Sequence, residues 1–367
     1  MSSQEISVGK PFLLVEVGHE WIKMLEVEST RKGVLLKNLF FEKFETIGAA
    51  VATRMAHVIK EKKFIRGPIV AVLPRQLVNV KVIELPSIKP EEIKDMLHLQ
   101  LSKHTPYSKE EICFDYRCVL SDREGYTRLM LAMVQRNVLS DRYYLFEEAG
   151  LKINRMTVSS EGIFNWYLAG NGLSQEETGI LLDIDSSYSD FVVLSKGKLL
   201  FTRSILIGFS HLMSDFEKWN EKLIREVNQS IETYRTENAG IEPSKIIVTG
   251  AGCKFDSLVK NLSASLNIAG ETVDSAKSFI KVSNKFSLNE QQYAGISLTA
   301  LAGMAQLPGQ LEIHLVPDSV KLRQEFITAG RSIEFLSIAL MVFFICLLYT
   351  SDAADDLLCV DLGGRRI

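Results

Sequence analysis

Residues Gly179 to Gly208, GILLDIDSSYSDFVVLSKGKLLFTRSILIG, constrain the fold more than any other stretch, because they read as three successive strands joined by tight turns. Apolar runs Ile180 to Ile184, Phe191 to Leu194 and Leu199 to Leu206 are broken by Asp185-Ser186-Ser187 and Lys196-Gly197-Lys198, which are turn chemistry. The chain opens on the same plan: Phe12 to Val17, Trp21 to Val27 and Val34 to Phe41, with turns at Gly18-His19-Glu20 and Ser29 to Gly33. Two copies of one antiparallel unit predict a duplicated fold.

Between the two meanders the apolar periodicity changes. Ile47, Val51, Met55, Val58 and Ile59 share one helical face over Thr46 to Lys62, and Ile69 to Leu73 is a strand ended by Pro74. Strand Val78 to Leu85, helix Pro90 to Leu101 and strands Ile112 to Leu120 and Thr127 to Val134 then form a small α/β insert. Its helix carries Pro90 in the first turn with Glu91 and Glu92 behind it, which suits the positive end of the helix dipole. A helix over Val138 to Glu148, strand Ile153 to Val158 and helix Glu161 to Leu168 lead to the second meander. After it, Phe209 to Asn238 reads as one long helix, because Leu212, Phe216, Trp219, Leu223, Val227, Ile231 and Tyr234 recur every three or four residues. Strand Lys245 to Thr249, the turn Gly250-Ala251-Gly252 and helix Phe255 to Leu266 make a βα unit. A last helix is predicted over Asn289 to Met304, and Pro308-Gly309 ends the globular part.

A chain of 367 residues can fill two cores, and a net charge of −3 without a basic stripe argues against nucleic-acid binding. Of five cysteines, Cys113, Cys118 and Cys253 sit in or beside apolar runs without metal-ligand spacing and are read as buried thiols of a reducing compartment. No secretory signal opens the chain at MSSQEISVGK. His57, His98 and His104 lack a nucleophile in recognisable context, and Asp122, Asp141 and Asp215 read as turn or cap residues.

The paired meanders and the Gly250-Ala251-Gly252 turn resemble the actin-like ATPase superfamily, which includes actin, sugar kinases and FtsA. More narrowly, the chain resembles PilM of type IV pilus assembly and its relative GspL of type II secretion; Leu85-Pro86 through Thr105-Pro106-Tyr107 carries the likeness to PilM most clearly. The resemblance implies two RNase-H-like lobes, residues 10–74 with 136–175 and residues 176–308, and an inserted subdomain of PilM or FtsA type at 75–135. In the family that subdomain makes protein contacts and carries no chemistry.

It also implies a nucleotide cleft. Phosphate sites need close backbone approach, hydroxyl or amide donors, and a carboxylate to organise magnesium. In the first turn the family pattern falls on Glu16, Gly18 and Lys23, but Glu16 replaces aspartate, and His19, Glu20 and Trp21 stand where small hydroxyl residues are expected. In the second turn Asp183 matches the magnesium-organising aspartate and Ser189 the later threonine, while Asp185 occupies a glycine position. Like charges about 4 Å apart repel by roughly 4 kcal/mol at an effective dielectric of about 20, so Asp185 is expected to oppose phosphate. Gly250 and Gly252 match the adenosine turn, and turn geometry alone also accounts for them. ATP with magnesium is the cofactor that the resemblance implies; the expectation is that none is required and that hydrolysis is lost.

Leu311 to Pro317, LEIHLVP, followed by a basic stretch and an apolar run, resembles the N-terminus of PilN. In separate-chain systems that motif lies in a groove of PilM. Ile313, Leu315, Val316 and Pro317 match it, with His314 and Val316 departing in residue type, so docking here is expected to be intramolecular; the rival reading is a plain membrane-proximal linker.

Phe335 to Leu348 is apolar on every side but shorter than the roughly 20 residues of a full span. Residues 346–367 resemble translated sequencing adapter, so a membrane helix over 333–345 is expected to be cut partway, after a linker at 309–332. Lys321, Arg323 and Arg331 before it orient the N-terminal part to the cytoplasm. The function expected is a scaffold on the cytoplasmic face of a bacterial inner membrane, with PilN- and PilO-like or GspE- and GspM-like partners. The alternatives are an ATP-dependent enzyme of the same fold, such as a sugar kinase, and a divisome scaffold of FtsA type.

Overall fold

The computed structural model describes residues 9–31, 33–121, 124–170, 177–213, 215–282, 290–317, 320 and 337–346. Residues 5–317 form the larger of two units into which the chain divides.

The first sheet holds β1 (Pro11–Val17), β2 (Trp21–Thr30), β3 (Gly33–Lys43), β4 (Ile69–Leu73) and β8 (Arg155–Val158) in the order β3-β2-β1-β4-β8. β1, β2 and β3 are antiparallel, and β4 and β8 run parallel to β1. The second sheet repeats this arrangement with β9 (Thr178–Ile184), β10 (Ser189–Ser195), β11 (Lys198–Ile205), β12 (Lys245–Gly250) and β13 (Ala269–Thr272), ordered β11-β10-β9-β12-β13. Duplication, read from two meanders, thus extends to the parallel strands that follow them. The insert, β5 (Asn79–Leu85), α2 (Pro90–His104), β6 (Ile112–Ser121) and β7 (Thr127–Gln135), is a three-stranded sheet ordered β5-β7-β6. Leu85, Ile93, Leu97, Leu101, Leu129 and Leu131 give it a small core of its own.

Helices α1 (Ala49–Glu61), α3 (Arg136–Glu148) and α6 (Asp256–Leu266) cover the outer faces, while α4 (Ser159–Leu168) and α8 (Thr299–Gln306) cross between the lobes. That crossing is backbone against backbone. A Cβ on Gly162 would lie 2.2 Å from the Ala300 carbonyl oxygen, and one on Gly303 would lie 1.9 Å from that of Gly162. Both helices are buried over nearly their whole length, because each has a lobe on either side.

Four differences from the sequence reading have local causes. The helix expected over Phe209 to Asn238 is a 3-10 turn, Phe209–Met213, and then α5 (Phe216–Glu237); Asp215 caps α5 by accepting from the Lys218 amide at 3.2 Å. The helix expected over Asn289 to Met304 is α7 (Glu290–Tyr293) and then α8, and the break between them carries Ser297. A short strand, β14 (Phe279–Val282), lies parallel to β3 on the first sheet, so the chain recrosses to the first lobe inside the stretch expected to be wholly second lobe. Cys118 is exposed and Cys253 half-buried; only Cys113 of the three is a buried thiol, because Cys118 lies at the exposed end of β6, with Leu120 and Ser121.

Residues 337–346 are helical, with the apolar side chains from Ile338 to Ile345 exposed. No helix among the described residues is long and apolar enough to cross a membrane. Asp122, Lys321, Arg323, Arg331 and residues 347–367 lie outside the described residues.

Candidate functional site

The hairpin register brings Glu16 of β1 opposite Lys23 of β2, with both side chains facing the cleft between the lobes. The Lys23 ammonium donates to Glu16 Oε1 at 3.0 Å, to Asp185 Oδ2 at 2.6 Å and to the Ser297 carbonyl at 3.1 Å. An ammonium has three donors, and all three are used. Lys23 and Glu16 are each 2% exposed. Burial works against the Lys23 charge, yet Asp185 and Glu16 outweigh it and push the ammonium pKa up. Burial pushes the Glu16 carboxyl up to about 7, against the pull of Lys23, and the neighbouring Asp185 charge adds to the rise.

Asp185 is satisfied on both oxygens. Oδ2 takes Lys23, and Oδ1 accepts the Ser186 and Ser297 amides, each at 2.9 Å. Trp21 Nε1 donates to Ser186 Oγ at 3.1 Å, and Ser186 Oγ donates in turn to Glu20. The first hairpin turn is therefore fastened directly to the second. The turn amides face inward as well: Gly18 N bonds Trp21 O at 2.8 Å and Asp185 N bonds Tyr188 O at 2.9 Å. Arg142 of α3 holds the carbonyls of Val17 and Gly18 from behind.

Asp183 is paired in register with Thr249 of β12 on one side and Asp190 of β10 on the other. Its Oδ1 accepts the hydroxyls of Thr249, Ser297 and Thr299 at 2.8, 2.5 and 2.8 Å. Burial still raises its pKa, against the Ser297 and Thr299 hydrogen bonds. Gly250 packs onto this group at φ +66°, and a Cβ there would lie 2.7 Å from Asp183 Oδ1 and 2.5 Å from the Ile184 carbonyl. A Cβ on Gly252 would meet Ile184 Cδ1 at 2.4 Å. Close packing against β9 thus requires glycine at 250, where the backbone itself is met at positive φ, while at 252 a Cβ would meet only the side chains of Ile184 and Val248. Ser189 stands apart: its hydroxyl donates to the Ile207 carbonyl at 2.6 Å. Glu16, Lys23, Asp183 and Gly250 lie together, joined by Asp185, Ser297 and Thr299.

The arrangement does not fit a magnesium phosphate. The lysine has no donor left, both Asp185 oxygens are engaged, and the turns that would have to flank phosphates bond to each other. No group of three or more His, Cys, Asp or Glu side chains suited to a metal occurs among the described residues.

A second constellation lies on the far side of α4. Residues 311–317 run extended beside β8 and are fastened mainly by their backbone. Glu161 Oε1 and Oε2 accept the amides of Glu312 and Ile313 at 3.2 and 3.1 Å, Asp115 Oδ2 accepts that of His314 at 2.7 Å, and the Met156 carbonyl accepts that of Leu315 at 2.9 Å. Arg155 donates to the Leu311 carbonyl at 2.6 Å, and His314 Nδ1 accepts the Met156 amide at 3.2 Å. Ile313, Leu315, Val316 and Pro317 are all buried. Glu161 is itself fully buried; burial raises its pKa, opposed by Arg117 at 2.9 Å, Thr157 and the two amides. Arg117 reaches Glu312 at 2.8 Å with its other nitrogen and lies 4.2 Å over the Phe164 ring. The insert, through Asp115 and Arg117, and the first lobe, through β8 and Glu161, thus hold the segment jointly. Sequence reasoning named the seated residues but not Asp115, Arg117 or Glu161, which carry no motif.

Two lobes of one repeated topology around a shared cleft define a protein of actin-like fold. A family profile described as "Type IV pilus assembly protein PilM" matches residues 11–219, and the chain belongs to that family. No curated protein sequence matches it. Among solved structures, one titled "PilM-PilN type IV pilus biogenesis complex" superposes with a TM-score of 0.69 at 18% identity, over 81% of this chain and 98% of that one. A Bacteroides thetaiotaomicron protein of actin-like ATPase fold and unknown function covers 74% of this chain and 93% of its own, at 12% identity and a TM-score of 0.47. The cytoplasmic domain of Epsl, an inner membrane component of the Vibrio cholerae type II secretion system, covers 65% and 82%, at 13% identity and a TM-score of 0.41.

Proposed function

We propose that this chain is a scaffold of a type IV pilus or type II secretion assembly platform, at the cytoplasmic face of a bacterial inner membrane, acting by binding and not by catalysis. Its own residues 311–317 take the part that a separate PilN-like chain plays elsewhere, and the apolar residues after them tether it to the membrane. Partners are then the remaining inner-membrane components, of PilO type or of GspE and GspM type. The nucleotide site is degenerate, and ATP with magnesium is not required.

One observation carries this reading: the segment is seated by four successive amides and by buried Ile313 and Leu315. That is recognition of an extended segment through its main-chain amides, three held by the carboxylates of Glu161 and Asp115 and one by the Met156 carbonyl, while its buried apolar side chains supply selectivity. Tethering raises the local concentration of such a segment to about millimolar, so the groove stays filled by its own chain.

The test is fluorescence anisotropy with a labelled LEIHLVP peptide. Full chain carrying Ile313→Asp and Leu315→Asp is expected to bind the peptide, whereas the unaltered chain does not, its groove being occupied. Equal binding to both would sink the intramolecular reading. Loss of surface pili or of secreted proteins on deleting the gene, restored by the unaltered chain but not by the double variant, separates the two machines and tests the scaffold role.

A further inference from the structure

The charged groups of the cleft answer one another without a ligand. Lys23 spends all three donors on Glu16, Asp185 and the Ser297 carbonyl, which belong respectively to the first lobe, the second lobe and the crossing before α8. Every other contact across the gap has the same character. Trp21 and Glu20 of the first hairpin meet Ser186 of the second. Tyr188 donates its hydroxyl to Glu16 Oε1 at 3.4 Å. The amides of Gly18, Asp185 and Ser186 are closed within their own turns. The charged side chains that a phosphate or a metal would have to recruit are thus already paired across the lobes, and the Gly18, Asp185 and Ser186 amides are engaged within their own turns.

We propose that the Lys23 ammonium is the built-in counter-ion of this cleft, standing where a nucleotide's metal and phosphates would otherwise join the two hairpins, and that it pins the lobes closed with no ligand bound. In an actin-like fold a ligand between the lobes gains its leverage by binding the closed state better than the open one. Here a covalently attached cation supplies that difference, so the closed state is constitutive and nucleotide has nothing left to select. The negative charge of Asp185, expected to repel phosphate, thereby gains a second role: it is the second lobe's anchor for the pin. This inference rests on the scaffold reading, since a platform that must present fixed surfaces gains from a cleft that does not cycle.

The test uses the full chain and two measurements. Isothermal titration with magnesium ATP is expected to show no binding up to millimolar nucleotide, and micromolar binding overturns the proposal. Hydrogen exchange then reads peptides covering residues 16–23 and 183–189. Lys23→Met leaves Glu16 and Asp185 uncompensated, so Lys23→Met with Glu16→Gln is measured beside it, removing one charge of each sign. Exchange over 183–189 is expected to quicken at least about tenfold in both variants, a change equivalent to about 1.4 kcal/mol of lost closure. Exchange at the unaltered rate in the double variant means that the ammonium does not hold the lobes, and the proposal falls. The LEIHLVP peptide assay reports on the other side of α4, so failure of the pin and failure of the scaffold reading are distinguishable.

Discussion

Asp190 is the acid of the cleft floor with the least compensation. It faces Ser159, which donates to Oδ2 at 2.6 Å, together with Arg75, Asp183 and Asp185, while its Oδ1 is buried without a hydrogen-bond partner. Burial pushes its pKa from 3.8 to about 7. A carboxyl raised on folding favours the native state below its unfolded pKa, and that contribution disappears as pH climbs through the native one. Stability is therefore expected to fall between pH 4 and about 7, by up to about 1.4 kcal/mol per pH unit for each such group. Glu16, raised to about 7 by burial, adds in the same direction. Urea titrations of Asp190→Asn across this range should show a flatter slope than the unaltered chain, and an unchanged slope would refute the assignment. Glu161 makes a different prediction. Removing one partner of a buried ion pair costs about 3–5 kcal/mol, because the other charge is left stranded. Glu161→Ala is expected to fall in that range by chemical denaturation and to quicken exchange of the Glu312 and Ile313 amides. Glu161→Gln, which keeps an oxygen for one of those amides, should lie between the two.

The crossing of α4 and α8 is the least tolerant pair of elements. Leu301, Met304, Ile163 and Trp166 surround a contact in which Gly162 and Gly303 meet through backbone atoms. A methyl at either glycine has nowhere to go except by separating the helices, and overpacking of this kind typically costs about 1–3 kcal/mol. Gly303→Ala should therefore lower the denaturation midpoint by at least that equivalent, whereas Gly309→Ala, with open space around it, should not. Much of this level was legible in the sequence. β1 to β3 and β9 to β11 each announce themselves through turn residues and apolar runs, and the insert follows from the same signals. β13 and β14 were not legible, because four residues with no turn signature become strands only beside an edge that another part of the chain supplies. The long helix after β11 was misread for a related reason: apolar spacing runs across Asp215, but the cap interrupts the backbone there.

At the level of residues 5–317, a continuous apolar cluster joins Phe12, Leu14 and Val72 of the first lobe to Phe191, Val193 and Ile247 of the second, and reaches Val119 and Met130 of the insert. No gap in the core separates the lobes at the crossing helices. One cooperative calorimetric transition is therefore expected for this region, with van't Hoff and calorimetric enthalpies in agreement. Two resolved transitions would show that lobes or insert melt alone. Lys23, Trp21 and Glu20 reinforce that coupling on the cleft side of α4, and Arg117 and Glu161 on the opposite side.

Local chain chemistry determined the duplicated meanders, the glycine turns and the elements of the insert, since each depends on neighbours within a few positions. Glu16 and Lys23 were named only through the family's phosphate pattern; that they face each other across one hairpin is read from the strand register. Tertiary structure alone decided what those groups do. Asp185 lies 162 positions from Lys23 and Ser297 lies 274 away. Glu161 meets Ile313 across 152. Nothing periodic links such distant residues, because their meeting is set by the closure of two lobes about α4 and α8. A charge that sequence position presents as an obstacle to phosphate becomes, once the lobes close, one end of an ion pair.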